Sequence, residues 1–106
     1  MAWIPGLSVR ILTHERARAG HASTAEAVLA LARRAGLSAS VIRGQEGWSA
    51  HGGARTAEQV ELSDDLPIII ELLGAAERIE TALPELIALV SPHGTITLTN
   101  TRLWVS

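Results

Sequence analysis

The chain has no cysteine, lysine, phenylalanine or tyrosine. Without cysteine it can form no disulfide, no zinc–thiolate site and no thiol nucleophile. Three tryptophans are its only aromatic side chains, so any core is aliphatic and platforms for stacking nucleic-acid bases are few. A formal net charge of -2 supplies no basic stripe for a phosphate backbone, which argues against a nucleic-acid partner. No apolar run approaches the roughly 20 residues that span a bilayer. The opening MAWIPG has neither the basic region nor the apolar centre of a signal peptide. The expectation is a soluble cytoplasmic protein with no membrane insertion. All nine basic residues are arginine. Codon composition is the simplest origin of that bias; in either case an anion site here must use guanidinium forks or backbone N–H groups.

What is present is enough for one folded unit. The 106 residues, 47% of them hydrophobic, fit a single domain over residues 1–106 with a real core. Leu7–Thr13 alternates, with Leu7, Val9 and Ile11 on one face, and reads as a strand buried on one side. His14–Ala22 is polar and aperiodic and reads as a loop. Ser23 and Glu26 form an S-x-x-E capping box. Val28, Leu31, Ala32 and Ala35 follow at helical spacing, and Gly36 closes a helix of about twelve residues. Ser38–Gly44 reads as a second strand. Leu66–Gly74 reads as a third, buried on both faces by its consecutive isoleucines, with Pro67 tolerable only at an edge or a first position. Ala75–Val90 is helical, with Pro84 predicting a kink or two short helices. Thr95–Val105 is a final strand whose apolar phase flips between Leu98 and Leu103, which predicts a bulge near Asn100.

The order strand, helix, strand, strand, helix, strand is the split β-α-β pattern. It implies an α+β, ferredoxin-like βαββαβ fold, an antiparallel sheet with both helices on one face and an extra C-terminal strand segment. Leu12, Ile69 and Leu73 then point to the other face, which is too apolar for open solvent and calls for an oligomer. Between the second and third strands runs Gly44–Gln59, GQEGWSAHGGARTAEQ, far longer than the two to five residues a hairpin needs. It carries Trp48, His51 and Arg55 among four glycines.

Read as a whole, the chain resembles the small PII-like proteins of domain-of-unknown-function family 190, relatives of the PII signalling proteins and of the CutA-type trimers. The resemblance runs from about Val9 to Val105. It is carried by VRILTHE, AEAVLALARRAGLSASVIRGQEGW, LSDDLPIIIELL and ALPELIALV, with LARRAGLSASVIRG followed by LSDDLPIIIE the most specific combination. The resemblance implies a non-enzymatic homotrimer that binds a small anionic ligand, such as an adenine nucleotide, in clefts between subunits. Gly44–Gln59 would be the T-loop, which orders or moves on ligand binding and touches a partner protein. Family members often lie beside fluoride-channel genes, which points to a membrane transporter or channel as that partner.

The resemblance marks Arg43, Gly44, Gly47, Trp48 and Glu15 as ligand-site candidates, with His21 and Arg55 at positions where the pattern differs. Gly20, His21 and Ala22 stand where the family has glycine, a basic residue and proline. Trp48 and Ser49 replace phenylalanine or tyrosine followed by glycine. Arg55 precedes Thr56 where the family has histidine, and Gly52 and Gly53 replace a Ser-Arg pair.

From the residues themselves, Arg43 followed by Gly44 reads as a phosphate or carboxylate clamp with close backbone approach, or as a solvated strand end and an ordinary turn. His51 and Arg55 are anion or partner contacts, or polar residues of a mobile loop. Trp48 stacks on a base, inserts into a neighbour, or plugs the core end of the loop. His14, Glu15 and His21 are metal-ligand types, but their spacing fits no standard site. Glu15 reads alternatively as an anchor for the loop. Asp64 and Asp65 suit a turn, or a pairing with arginine across a subunit boundary, better than acid–base work. His93 is a turn residue. No Ser-His-Asp spacing or phosphate-binding loop is present, and the expectation is neither an enzyme nor a cofactor protein. A scaffold trimer that senses nothing and a CutA-like metal binder are the alternatives.

Overall fold

The computed structural model describes residues 1–49, 53–56 and 65–106, with residues 48–49 and 53–56 described by backbone alone. Four strands build the main sheet: β1 (Ala2–His14), β4 (Ser38–Arg43), β7 (Pro67–Ala75) and β8 (Thr95–Val105). Between them lie two short strands, β2 (Arg18–Ala19) and β3 (Ala22–Ser23), the helix α1 (Thr24–Ala35), a hairpin of β5 (Glu46–Ser49) with β6 (Gly53–Thr56), and the helix α2 (Ala76–Val90). The sheet order is β4-β7-β1-β8 and every pairing is antiparallel. This is the ferredoxin-like arrangement, with β1 in the interior paired to β7 on one side and β8 on the other.

Alternation along β1 sets the layers. Leu7, Val9 and Ile11 are buried under the helices, and Ile70 and Leu72 lie beside them from β7. Val28, Leu31 and Ala32 of α1 and Ile79, Ala82, Leu86 and Val90 of α2 close the core from above. The start of α1 follows its capping box: the Ser23 Oγ accepts from the Glu26 N–H at 3.1 Å. Its end follows Gly36, left-handed at φ 71°, where a β-carbon would be strained.

Several expectations change. First, His14–Ala22 is not all loop, since Arg18 pairs with Ser23 and Ala19 with Ala22 around Gly20, whose φ of 66° suits the tight turn. Second, α2 runs through Pro84 as one helix and is not split in two. Buried side chains on both sides of the proline, Ile79 and Ala82 before it and Leu86 and Val90 after it, pin the two halves to the same sheet, and tertiary packing outweighs the missing N–H. Third, no bulge forms near Asn100. The β1–β8 register runs unbroken from Leu12↔Thr95 to Ala2↔Val105.

The phase flip in β8 is therefore a change of face. Ile96 and Leu98 stand opposite Ile11 and Val9 on the helix side. Leu103 stands opposite Ile4 on the other side, and it fits because Gly6 has no side chain: a β-carbon there would lie 2.8 Å from the Leu103 Cγ. The extra C-terminal segment is this continuation of β8, which pairs with Ala2–Pro5 beyond the end of β7. The ribbon so formed carries Trp3 against Trp104, edge to face with centroids 5.4 Å apart, and the Arg102 guanidinium 5.6 Å over the Trp3 ring.

The helix-free face is banded. Ile42, Ile69 and Leu12 form one row by register, and Ser40, Glu71 and Arg10 the next, closed by an Arg10–Glu71 ion pair of 3.0 Å. Leu73 lies in the row after that. Leu12 is 46% exposed, Ile42 47% and Leu73 39%, so β7 is buried on one face only within a single chain. Pro67 is the first residue of its strand, where its missing N–H does least harm.

Gly94, in the turn before β8, tests the packing. A β-carbon there would lie 2.8 Å from the Leu12 carbonyl oxygen and 2.9 Å from the Val90 Cγ1. Backbone cannot yield as a side chain can, so Gly94→Ala should destabilise by about 1–3 kcal/mol, read in urea as a lower midpoint at unchanged slope.

Candidate functional site

A cleft of about 580 Å³ opens on the helix side, where α1 begins and β4 ends. Leu29, Val41 and Ile68 give it an apolar floor, and Glu15, Arg18, Glu26 and Arg43 its charged rim. Arg43 reaches it because it is the last residue of β4 and stands opposite Ile68, a residue of the helix-side face. Arg18 reaches it from the short β2, anchored by a 2.7 Å hydrogen bond that its Nη2 donates to the His21 carbonyl.

Arg43 and Glu15 form an ion pair, Nε to Oε1, at 2.9 Å. Glu15 belongs to a turn that holds both stems of the segment between β4 and β7. Its side chain engages the outgoing stem through Arg43. Its N–H donates to the Leu66 carbonyl of the returning stem at 2.9 Å. His14 Nδ1 lies 2.7 Å from the Asp65 Oδ1, and the Arg16 N–H donates to the same oxygen at 3.0 Å. Asp65 thus engages groups of its own chain. The two stems are also joined directly, since the Gly44 N–H donates to the Pro67 carbonyl at 2.8 Å.

That bond bears on the two glycines singled out from the sequence. A β-carbon at Gly44 would lie 2.9 Å from the Pro67 Cγ, and one at Gly47 would lie 3.1 Å from its Cβ. The proline ring lies against the backbone at both positions, so close strand-to-stem packing accounts for glycine there, and the Gly44 N–H is already engaged. Beyond them, Gly44–Gln59 is not loop throughout. Gly47 pairs with Arg55 and Trp48 with Ala54 in the β5–β6 hairpin. The side chains of Trp48 and Arg55, the residues His51 and Asp64, and the mobility expected of Trp48–Gln59 lie outside what the structure describes.

The structure therefore brings Glu15, Arg43 and Gly44 to one corner, with Gly47 beside them against Pro67. His21 is exposed, on the β2–β3 turn. His93 stands edge to face with His14, centroids 6.2 Å apart, and its carbonyl accepts from the Thr13 hydroxyl at 3.0 Å. Among the described residues, no group of three or more His, Cys, Asp or Glu is placed to hold a metal ion. Sequence reasoning missed Arg18 as a rim residue and Asp65 as the partner of His14. The register supplies the second: His14 stands opposite Pro67, two residues from Asp65.

The fold and the double-held segment define the class, that of ferredoxin-like α+β proteins with a long segment between the second and third core strands. The family model for DUF190, described as Uncharacterized ACR, matches residues 6–103, and the chain belongs to that family. Solved structures agree on the fold. A nitrogen regulatory PII-like protein, CPII of Thiomonas intermedia, bound to ADP, AMP and bicarbonate, superposes with a TM-score of 0.71 at 18% identity, covering 96% of this chain and 91% of that one. Its apo form gives 0.61 at 16% identity, covering 96% and 95%. A PII-like signalling protein of Thermus thermophilus gives 0.62 at 17% identity, covering 99% and 93%. No curated protein matches the chain in sequence. Among the described residues, no helix is long and apolar enough to cross a membrane.

Asp65 and His14 have side chains only 18% and 20% exposed. Removing one partner from a charge-assisted contact at that depth costs about 1.5–3 kcal/mol. Asp65→Ala should therefore lower the unfolding free energy by that amount, read as a lower denaturant midpoint, whereas Arg10→Ala, which breaks a far more exposed pair, should lower the unfolding free energy by less than about 1 kcal/mol.

Proposed function

We propose that this chain is a PII-like regulatory protein, not an enzyme, which works as a cytoplasmic homotrimer. It binds a small anionic ligand of the adenine-nucleotide class in the cleft at Arg43 and passes the event through Gly44–Gln59 to a partner, a membrane transporter or channel. The observation that carries the reading is the position of Arg43. Its guanidinium, 69% exposed, stands on the rim of an open cleft at the root of the long segment, where a bound anion and that segment share a residue. The ADP, AMP and bicarbonate held by the Thiomonas protein of the same fold support the ligand class. The exposed Leu12, Ile42 and Leu73 on the helix-free face support assembly, because apolar rows on a sheet favour a partner surface over water.

Calorimetry and thermal shift against ADP, AMP, ATP and bicarbonate test the ligand. One that binds stabilises the protein by about 2.7 kcal/mol at 100 times its dissociation constant. Arg43→Ala should weaken its binding about ten- to a hundredfold with the fold unchanged. Equal affinity in the variant would place the site elsewhere. Trimer mass with no response to any of these ligands would favour a scaffold.

Light scattering at micromolar concentration tests the assembly. Ile69→Asp, which sets a charge in the apolar row, should reduce the trimer to monomers, since an unpaired charge buried at an interface costs several kcal/mol. A monomer mass for the unmodified protein would overturn the assembly.

A further inference from the structure

Among the described residues, three arginine–glutamate pairs form, and they are not alike. Arg10–Glu71 and Arg34–Glu85 close through the terminal Nη2 at 3.0 and 2.6 Å, with both side chains of each pair well exposed. Arg43–Glu15 closes through Nε, the inner nitrogen, at 2.9 Å. The other two pairs are also hydrogen bonds donated by Nη2, whereas this one is an ion pair at the inner nitrogen. A guanidinium presents two double-donor edges, one from Nε and an Nη, the other from the two Nη groups. The 2.9 Å approach of Glu15 is to Nε, on the first of these edges.

The two partners also differ in freedom. Arg43 is 69% exposed at its side chain and Glu15 only 23%. Glu15 is fixed by its own N–H bond to the Leu66 carbonyl, and its turn is closed by the Ala17 N–H donating to the His14 carbonyl at 3.2 Å. A fixed carboxylate thus holds a long, rotamer-rich cation by its inner nitrogen. We infer that Glu15 is a positioning residue for anion binding, which aims the Nη1–Nη2 edge of Arg43 at the cleft. This rests on Arg43 being the anion contact proposed above. Ordering a rotamer-rich side chain at the moment of binding costs about 0.5–1.5 kcal/mol, and Glu15 removes that cost beforehand. The other role open to a carboxylate at this distance is competition, in which an anion must displace Glu15 from Arg43. The two roles predict opposite signs.

The test titrates ADP and, as a bare anion, pyrophosphate into the full-length protein and into Glu15→Ala, Glu15→Gln and Arg43→Ala. Positioning predicts that Glu15→Ala weakens binding about two- to tenfold and that Glu15→Gln, which keeps the shape and places an amide oxygen beside Nε, recovers part of the loss. A role confined to stability would lower the melting temperature of both Glu15 variants and leave affinity per folded molecule unchanged, which overturns positioning. Binding as tight as wild type, or tighter, in Glu15→Ala, with Arg43→Ala still weakened, overturns positioning and leaves the site in place. Wild-type affinity in Arg43→Ala, or no binding of either probe to the unmodified protein, overturns the site and the positioning role together.

Discussion

Everything in this fold is placed by reference to β1. It is one of the two interior strands of the main sheet, joining β7 to β8, and its alternation decides which face each neighbour presents. Once Val9 and Ile11 face the helices, the registers carry that choice to Ile70 and Leu72, to Val41 and Arg43, and to Ile96 and Leu98. A slip of one residue would turn each of these outward. The strand also ends where the chemistry begins, since His14 closes the ladder and the next two residues hold the stems of the following segment.

That geometry gives the candidate site a compact logic. One turn contacts an outgoing stem by side chain and a returning stem by side chain and backbone. The two stems are then fastened to each other by the Gly44 N–H and the Pro67 carbonyl. Pro67 serves twice, as an acceptor for Gly44 and as a rigid surface against which Gly44 and Gly47 pack. The glycines here are explained by contact within the chain, and the exposed cation at the cleft rim is Arg43.

Much of the fold was legible because its signals are local. The Ser23–Glu26 capping box and Gly36 mark α1 to the residue, and apolar alternation marks β1. Signals that depend on tertiary context misled. Pro84 reads as a kink or a break into two helices, and the break is ruled out only once Ile79 and Leu86 are seen anchoring either side of it in one helix. The shift from Leu98 to Leu103 reads as a bulge until Gly6 is seen making room on the opposite face. The site was legible in part: Arg43 and Glu15 were singled out separately. Their pairing and the His14–Asp65 contact are matters of tertiary register between residues far apart in the chain, and no spacing rule in a single sequence contains them.

The ribbon at the far end of β1 and β8 has an optical consequence. Tyrosine is absent, so the near-ultraviolet absorption and emission of this protein come from three indoles alone. Two of them, Trp3 and Trp104, are stacked edge to face within exciton-coupling range, at the end of the sheet remote from Arg43. Their coupled circular-dichroism band reports whether that ribbon is zipped. The remaining indole, Trp48, belongs to the β5–β6 hairpin. With the ribbon pair replaced by a non-fluorescent residue, the hairpin would carry the molecule's only indole, a built-in label in the segment between the two held stems.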